Sequence, residues 1–340
     1  MKAATLFSGI GGFDLPLQRK GVELVEAVEI DKYARSVYSR HFPGVRLWQD
    51  ATKIEPERLS EFDILACGPP CQSFSVAGNR RGFADTRGTL FYEVFRIAKE
   101  KQPSIIIIEN VLGLLNIDSG ETFRTILKAL DEVGYDAAWQ VLNSKFFVPQ
   151  NRERVFIIGH LRGKRTRKIF PIGGTNPKSN GKNLMQVGNI DQKGHNSIWG
   201  RVYSPDGISS TINAQGGGLG AKSGLYAVPK IKRIEGKPNI YNTDAQGGKI
   251  YDPEGISPTV SGQRVNSQGY IAISSGQAHA ISKRIRRLTP MECERLQGFP
   301  DEWTKYGRDG ELISDTQRYK MCGNAVTVPV VEYILEALLK

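Results

Sequence analysis

Ser104-Ile105-Ile106-Ile107-Ile108-Glu109-Asn110-Val111 is the stretch on which the fold turns. Four β-branched aliphatic residues in a row suit a strand covered on both faces, because successive side chains point to opposite sides of a sheet. Other short apolar runs flank it in sequence, at residues 3–8, 23–30, 63–67 and 155–158. Between these runs, residues 33–38 (with Asp31 as N-cap), 89–101 and 121–133 carry apolar side chains at helical spacing. Strands and helices in alternation predict an α/β fold, a Rossmann-like doubly wound and mostly parallel sheet. Ligands of such sheets lie at the carboxyl ends of the strands.

The chain has 340 residues, of which 39% are hydrophobic and 24% charged, with 46 Lys+Arg against 35 Asp+Glu and a formal net charge of +11. That composition excludes disorder or a fibrous repeat for the whole chain. No aliphatic run approaches the ~20 residues of a membrane helix, and the start turns glycine-rich at once, so neither a membrane partner nor a secretory signal is expected. Four cysteines (Cys67, Cys71, Cys293, Cys322) are too few and too scattered for a disulfide framework or a zinc knuckle. A reduced cytoplasm is the expectation. The basic balance points to a polyanionic partner.

Composition shifts after residue 160. Residues 162–182 hold seven Lys/Arg and no acid, and glycine-rich segments follow. An internal repeat lies within them: Val202-Tyr-Ser-Pro-Asp-Gly-Ile-Ser-Ser-Thr-Ile-Asn-Ala returns as Ile250-Tyr-Asp-Pro-Glu-Gly-Ile-Ser-Pro-Thr-Val-Ser-Gly, an offset of 48. Two copies are too few for a solenoid, and each reads as a turn between short strands. From Arg286 regular structure resumes, with Thr289, Pro290 and Glu292 forming a helix start and residues 330–339 an amphipathic helix. The expected organisation is a catalytic domain over 1–160, a small, loop-rich, mainly β insert over 161–285, and a return to the first domain over 286–340.

Several residues carry chemistry at strand ends. Phe7-Ser-Gly-Ile-Gly-Gly-Phe13 follows the first strand, and its glycines suit either a tight turn or close approach to a ligand. Glu29 and Asp50 end the next two strands, as ribose ligands or as solvated acids. Gly68-Pro-Pro-Cys71 puts a cysteine on a rigid turn after a strand, the position of a nucleophile if its thiolate is stabilised and of an inert thiol if not. Glu109 sits at the same edge, as a proton donor or a satisfied strand-end acid. Arg152 and Arg154 share one face by alternation, fit for an anion or a polarised carbonyl, or as surface charge.

The order of these motifs resembles the C5-cytosine DNA methyltransferases of bacterial restriction–modification systems. To the stretches above it adds Thr86-Arg-Gly-Thr-Leu-Phe, Gln150-Asn-Arg-Glu-Arg, Arg287-Leu-Thr-Pro-Met-Glu-Cys-Glu-Arg-Leu-Gln-Gly-Phe-Pro and Gly323-Asn-Ala. The resemblance is strong over about 1–160 and 286–340, and loose between. It implies an S-adenosylmethionine-dependent methyltransferase fold with S-adenosyl-L-homocysteine as product and no metal. Phe7, Gly9, Ile10 and Gly12 would hold the cofactor, Glu29 its ribose and Asp50 its adenine amino group. Ile30, Ala51, Pro70 and Leu90 would line the pocket, closed by Asn324, Ala325 and Val326. Cys71 would attack cytosine C6, Glu109 would serve the N3 side, and Arg154, with Arg152 beside it, would steady the base.

A base must leave the duplex to reach such a pocket. The glycine- and arginine-rich loop after Cys71 is expected to close over DNA through Gln72, Ser75, Arg80, Arg81 and Arg87, and residues 162–182 to hold phosphates. The family's Thr-Leu-x-Ala-like signature occurs twice, at Thr211 and Thr259, where the simplest members have one. Arg201, Gln215, Lys249, Gln263 and Arg264 carry groups able to read bases. The partner implied is double-stranded DNA, the state a monomer, the setting a bacterial or phage-infected cytoplasm, with a cognate restriction endonuclease that acts on the same site and need not form a complex. The rivals are a cytosine-C5 tRNA methyltransferase and a non-catalytic DNA-binding relative; a nicotinamide oxidoreductase would not explain the Pro-Pro-Cys turn.

Overall fold

A computed structural model describes residues 1–70, 90–172, 186–189, 201–203, 225–229, 250–251, 270–271, 283–286 and 288–340. The chain divides into two compact units, one of residues 1–183, 208–223 and 289–340, the other of 184–207 and 224–288. The first unit therefore extends past residue 160.

The first unit opens with β1 (Lys2–Leu6), α1 (Asp14–Arg19), β2 (Glu23–Val28), α2 (Lys32–His41), β3 (Arg46–Trp48) and β4 (Ile64–Cys67). It continues with α3 (Leu90–Lys101), β5 (Ile105–Val111), α4 (Glu121–Glu132), β6 (Tyr135–Asn143) and β7 (Glu153–Leu161). The seven strands form one sheet in the order β3-β2-β1-β4-β5-β7-β6. β1 to β5 pair in parallel, and β7 runs antiparallel to both β5 and β6. This is the doubly wound, mostly parallel sheet expected.

Alternation along β5 explains why it is central. Ile106 and Ile108 face a cluster with Phe91, Phe95 and Ile97 of α3 and Ile126 and Leu130 of α4. Ile105 and Ile107 face the other cluster, with Leu17 of α1 and the C-terminal helix. All four are at most 3% exposed, and each such burial contributes about 2–3 kcal/mol. β5 runs on past the isoleucines because Glu109, Asn110 and Val111 continue the ladder against Phe156, Val155 and Arg154.

Asp31 caps α2 as expected, its side chain accepting the N–H groups of Tyr33 and Ala34. After the insert come α5 (Pro290–Gln297), α6 (Asp315–Asn324) and α7 (Val328–Leu338). Thr289 and Glu292 form the capping box at the start of α5. Asp315–Leu338 reaches the length and hydropathy of a membrane-crossing helix. It is nevertheless two helices, parted at Ala325 and Thr327, whose ψ angles of 148° and 112° are extended. Cys67, Cys293 and Cys322 are buried free thiols.

In the second unit, β8 (Gln186–Asn189), β9 (Arg201–Tyr203), β10 (Leu225–Pro229) and β13 (Lys283–Arg286) form a sheet in the order β13-β10-β9-β8, while β11 (Ile250–Tyr251) pairs with β12 (Tyr270–Ile271). Both repeat copies open on a strand that pairs in parallel with the next one downstream, Val202 with Leu225 and Ile250 with Tyr270. The two opening strands belong to different sheets.

Candidate active site

The glycine loop leaves β1 with two residues in the left-handed region, Phe7 (φ 57°) and Gly9 (φ 55°). Ser8 between them donates its N–H to Val28 O at 2.9 Å. The Glu29 carboxylate accepts the Gly9 N–H at 2.8 Å and the Asp31 N–H at 2.7 Å. Burial raises its pKa from the usual carboxylate value, against these hydrogen bonds. A Cβ on Gly12 would lie 2.7 Å from Val326 Cγ1 and 3.2 Å from Val326 O. Only glycine admits the approach of the segment between α6 and α7. Asp50 accepts from the Thr52 hydroxyl (2.8 Å) and N–H (3.0 Å), bonds that lower its pKa.

At the neighbouring strand ends, Asn110 donates to Pro69 O at 2.9 Å and so fixes the prolyl turn after β4. Glu109 forms an ion pair with Arg154 at 3.0 Å, both side chains mostly covered. Arg154 is opposite Val111 in the ladder, and Glu109 is two residues back on the same face. Arg152, 3% exposed, donates through Nη2 to Gly323 O (3.1 Å) and Ala325 O (3.0 Å). Burial, then the Arg154 charge, pushes its pKa down to about 9, with Glu109 opposing. Arg152 thus ties β7 to the segment after α6, an anchoring role the sequence did not suggest.

One cavity of about 530 Å³ joins these groups. Phe7, Gly9, Gly12, Glu29, Ile30, Asp50, Ala51, Pro70, Leu90, Asn324, Ala325 and Val326 line it, together with Glu109, Arg152 and Arg154. Ile10 does not; it is 1% exposed and packs in the core beside Tyr38, Phe42 and Trp303, because the loop turns its side chain inward. The cavity also takes in Asp31, Gln49, Asn110 and Lys320, none of them named from sequence as a site residue. Asn110 was legible as the neighbour of Glu109; Lys320, paired with Asp31 at 2.6 Å, lies on a polar helix that carried no signal. The lining fits a nucleoside cofactor: two carboxylates can accept from hydroxyl or amino groups, and Phe7, the exposed Ile30 and Val326 offer apolar faces to a ring.

Cys71, Gln72, Ser75, Arg80, Arg81 and Arg87 lie outside the described residues, as do Thr211, Gln215, Lys249, Thr259, Gln263 and Arg264. Arg201 opens β9. Of the basic run after 160, Arg162 pairs with Asp131 and Asp136 at the surface.

A sheet of this strand order, with a glycine loop after β1 and an acid after β2 at the same cavity, defines the class of S-adenosylmethionine-dependent methyltransferases. Within that class the chain belongs to the C-5 cytosine-specific DNA methylases, whose family pattern matches residues 1–340. It is 35% identical to the orphan methyltransferase M.SPRI of Bacillus phage SPR, covering 100% of this chain and 97% of that one. It is 33% identical to the type II methyltransferase M.NgoBI of Neisseria gonorrhoeae, over 97% and 90% of the two chains. The fold matches a crystal structure of S. pombe Dnmt2 methyltransferase with a TM-score of 0.63 at 19% identity, over 100% and 98% of the chains. The chain is a cytosine-C5 DNA methyltransferase.

Proposed function

We propose that this enzyme methylates a cytosine flipped out of duplex DNA, with Cys71 as nucleophile and Glu109, Arg152 and Arg154 at the base. What carries the reading is the single cavity, in which Glu29 and Asp50 share walls with the Glu109–Arg154 pair and with Pro70, the residue before Cys71. Cofactor and base would meet there.

Cytosine C5 is too weak a nucleophile to be methylated unaided. Cys71 thiolate adds to C6, the C5–C6 π electrons shift towards N3, and Glu109 delivers a proton there. When bound, S-adenosylmethionine supplies an electrophilic methyl group and leaves as S-adenosylhomocysteine. C5 takes the methyl group, a solvent base removes the C5 proton, and Cys71 departs as thiolate while the double bond reforms. Glu109 recovers its proton from N3. Arg154, held at 3.0 Å from Glu109, keeps the carboxyl aimed and presents donors to the base carbonyl.

The same reading assigns base contacts to the second unit and phosphate contacts to the loop after Cys71. The enzyme acts as a monomer in a bacterial or phage-infected cytoplasm, marking DNA against a cognate endonuclease. The relatives' names divide between orphan and type II enzymes, so the endonuclease is the part to test by its own measurement. The chemical test is a covalent adduct with DNA containing 5-fluorocytosine, whose C5 fluorine blocks the last proton loss. The adduct is expected with the native chain and absent in Cys71→Ala; no adduct with the native chain would favour a non-catalytic DNA binder.

A further inference from the structure

Beneath the glycine loop runs a line of buried polar groups that this chemistry leaves unused. Asp14, the first residue of α1, is 0% exposed. Its Oδ1 accepts from Thr5 Oγ1 and from the Tyr38 hydroxyl, each at 2.7 Å. Thr5 has one hydroxyl proton and directs it to Asp14. In its 2.7 Å contact with Ser8 Oγ it must therefore accept, so Ser8 is the donor. Ser8 Oγ in turn accepts the Val28 N–H at 3.2 Å. The bonds run in one direction, from the end of β2 through Ser8 and Thr5 to Asp14, with Tyr38 of α2 closing from the far side.

One end of this line, at Ser8 and Val28, meets the cavity wall. Ser8 stands between Phe7 and Gly9, and Val28 directly precedes Glu29; all five line the cavity. Phe7 is a non-glycine residue in the left-handed region, a strained conformation kept only where the surroundings over-determine it. Asp14 Oδ2 is buried with no hydrogen-bond partner among the described residues. A core that needed only stability would not retain such a carboxylate, because an apolar group of the same shape costs less.

We propose that Asp14, Thr5 and Tyr38 are positioning residues, which act through Ser8 to preset the glycine loop and Glu29 for the nucleoside cofactor. This rests on the cofactor reading above. None of the three touches the cofactor; Ser8 transmits their arrangement to the loop. Removing the Thr5 hydroxyl takes away the shortest acceptor of Ser8 Oγ and leaves it only Thr5 O and Val28 O, each at 3.2 Å, which lets the loop relax before cofactor binds. Binding then has to restore the bound geometry.

The test is titration of S-adenosylmethionine into the full chain by calorimetry, with steady-state kinetics on DNA. Thr5→Val keeps the shape of the side chain, and Thr5→Ser keeps the hydroxyl. Tyr135→Phe serves as a stability control: Tyr135 is buried, bonds Pro103 O at 2.8 Å and is absent from the cavity lining. Thr5→Val is expected to raise Kd and KM for the cofactor about 10-fold, the equivalent of one buried hydrogen bond, with kcat within about 2-fold. Thr5→Ser is expected to restore both, and Tyr135→Phe to lower Tm without moving Kd. Native affinity in Thr5→Val, failure of Thr5→Ser to rescue, or an equal loss in Tyr135→Phe would each overturn the positioning role. Absence of binding by the native chain would overturn the cofactor reading instead.

Discussion

Replacing Arg152 by methionine separates what the buried cation does for stability from what it does for the site. Two opposing quantities can be set against each other. The bonds from Nη2 to Gly323 O and Ala325 O, at 3.1 and 3.0 Å, are charge-assisted and contribute about 1.5–3 kcal/mol each. Against them, a displacement of the guanidinium pKa from 12.5 to about 9 corresponds to roughly 5 kcal/mol disfavouring the buried charge. The arginine stays protonated at neutral pH, so that cost is present in the native enzyme. The two nearly cancel. Methionine fills similar volume without a charge, and such exchanges are often neutral for folding. Arg152→Met is thus expected to shift Tm by no more than ~5 °C, since 1 kcal/mol moves a domain of this size by about 2–4 °C. The segment Gly323–Val326, released from β7, is expected to lose its register in the cavity wall. Cofactor Kd should rise at least ~10-fold, and activity should fall further because Arg154 loses its neighbour. Differential scanning fluorimetry with calorimetric titration measures both. A fall in Tm beyond ~10 °C with unchanged cofactor affinity would refute the reasoning and make Arg152 a stability residue.

Glu109→Gln keeps the shape and one acceptor beside Arg154 but holds no transferable proton. Turnover should drop by ~10²–10⁴-fold while cofactor Kd stays within about 2-fold; a similar loss in both would place Glu109 in cofactor binding. Gly12→Ala places a methyl 2.7 Å from Val326 Cγ1 and should cost about 1–3 kcal/mol, with weakened cofactor binding in the same preparation. Burial raises the Asp14 pKa to about 6 from 3.8, so between those values the folded chain binds more protons on this group than the unfolded chain. Its contribution therefore declines as pH rises through the window, by up to roughly 3 kcal/mol. The stability difference between native and Asp14→Asn, read by urea unfolding, should shift by that amount in favour of the variant from pH 4 to pH 7. A pH-independent difference would show that Asp14 titrates normally.

The parts legible in sequence were those set by local periodicity. Four isoleucines fix β5, and Thr289-Pro290 with Glu292 fixes the start of α5, because both signals are written within a few residues. β6 was not legible: Tyr135–Asn143 lies at the sheet edge, where exposed and half-buried positions intermingle and the alternation blurs. α6 was missed for a related reason. Its buried residues include Arg318, Cys322 and Gly323, and a polar core position such as Arg318 is made tolerable by partners distant in sequence, Glu294 at 3.0 Å and Thr304 at 3.1 Å. Ile10 was expected at the cofactor with Phe7, Gly9 and Gly12, but its side chain is absent from the cavity lining. Its apolar side chain instead anchors the loop in the core, as Trp303 confirms by donating to Ile10 O at 2.9 Å.

The antiparallel strand accounts for an oddity in how the candidate groups are ordered. Phe7, Glu29, Asp50 and Pro70 follow a strand and Glu109 lies near the end of one, whereas Arg152 and Arg154 stand before or at the start of one. In a wholly parallel sheet the two arginines would sit at the opposite edge, a strand's length of about 25 Å away. β7 runs antiparallel to β5, with Val111 opposite Arg154 and Ile105 opposite His160. Its first residues therefore arrive at the edge where the parallel strands end. A cationic motif upstream of an apolar run, in a chain whose other candidate residues lie downstream of theirs, is thus itself a sign of a reversed strand. That reversal is what lets Glu109 and Arg154 meet at 3.0 Å.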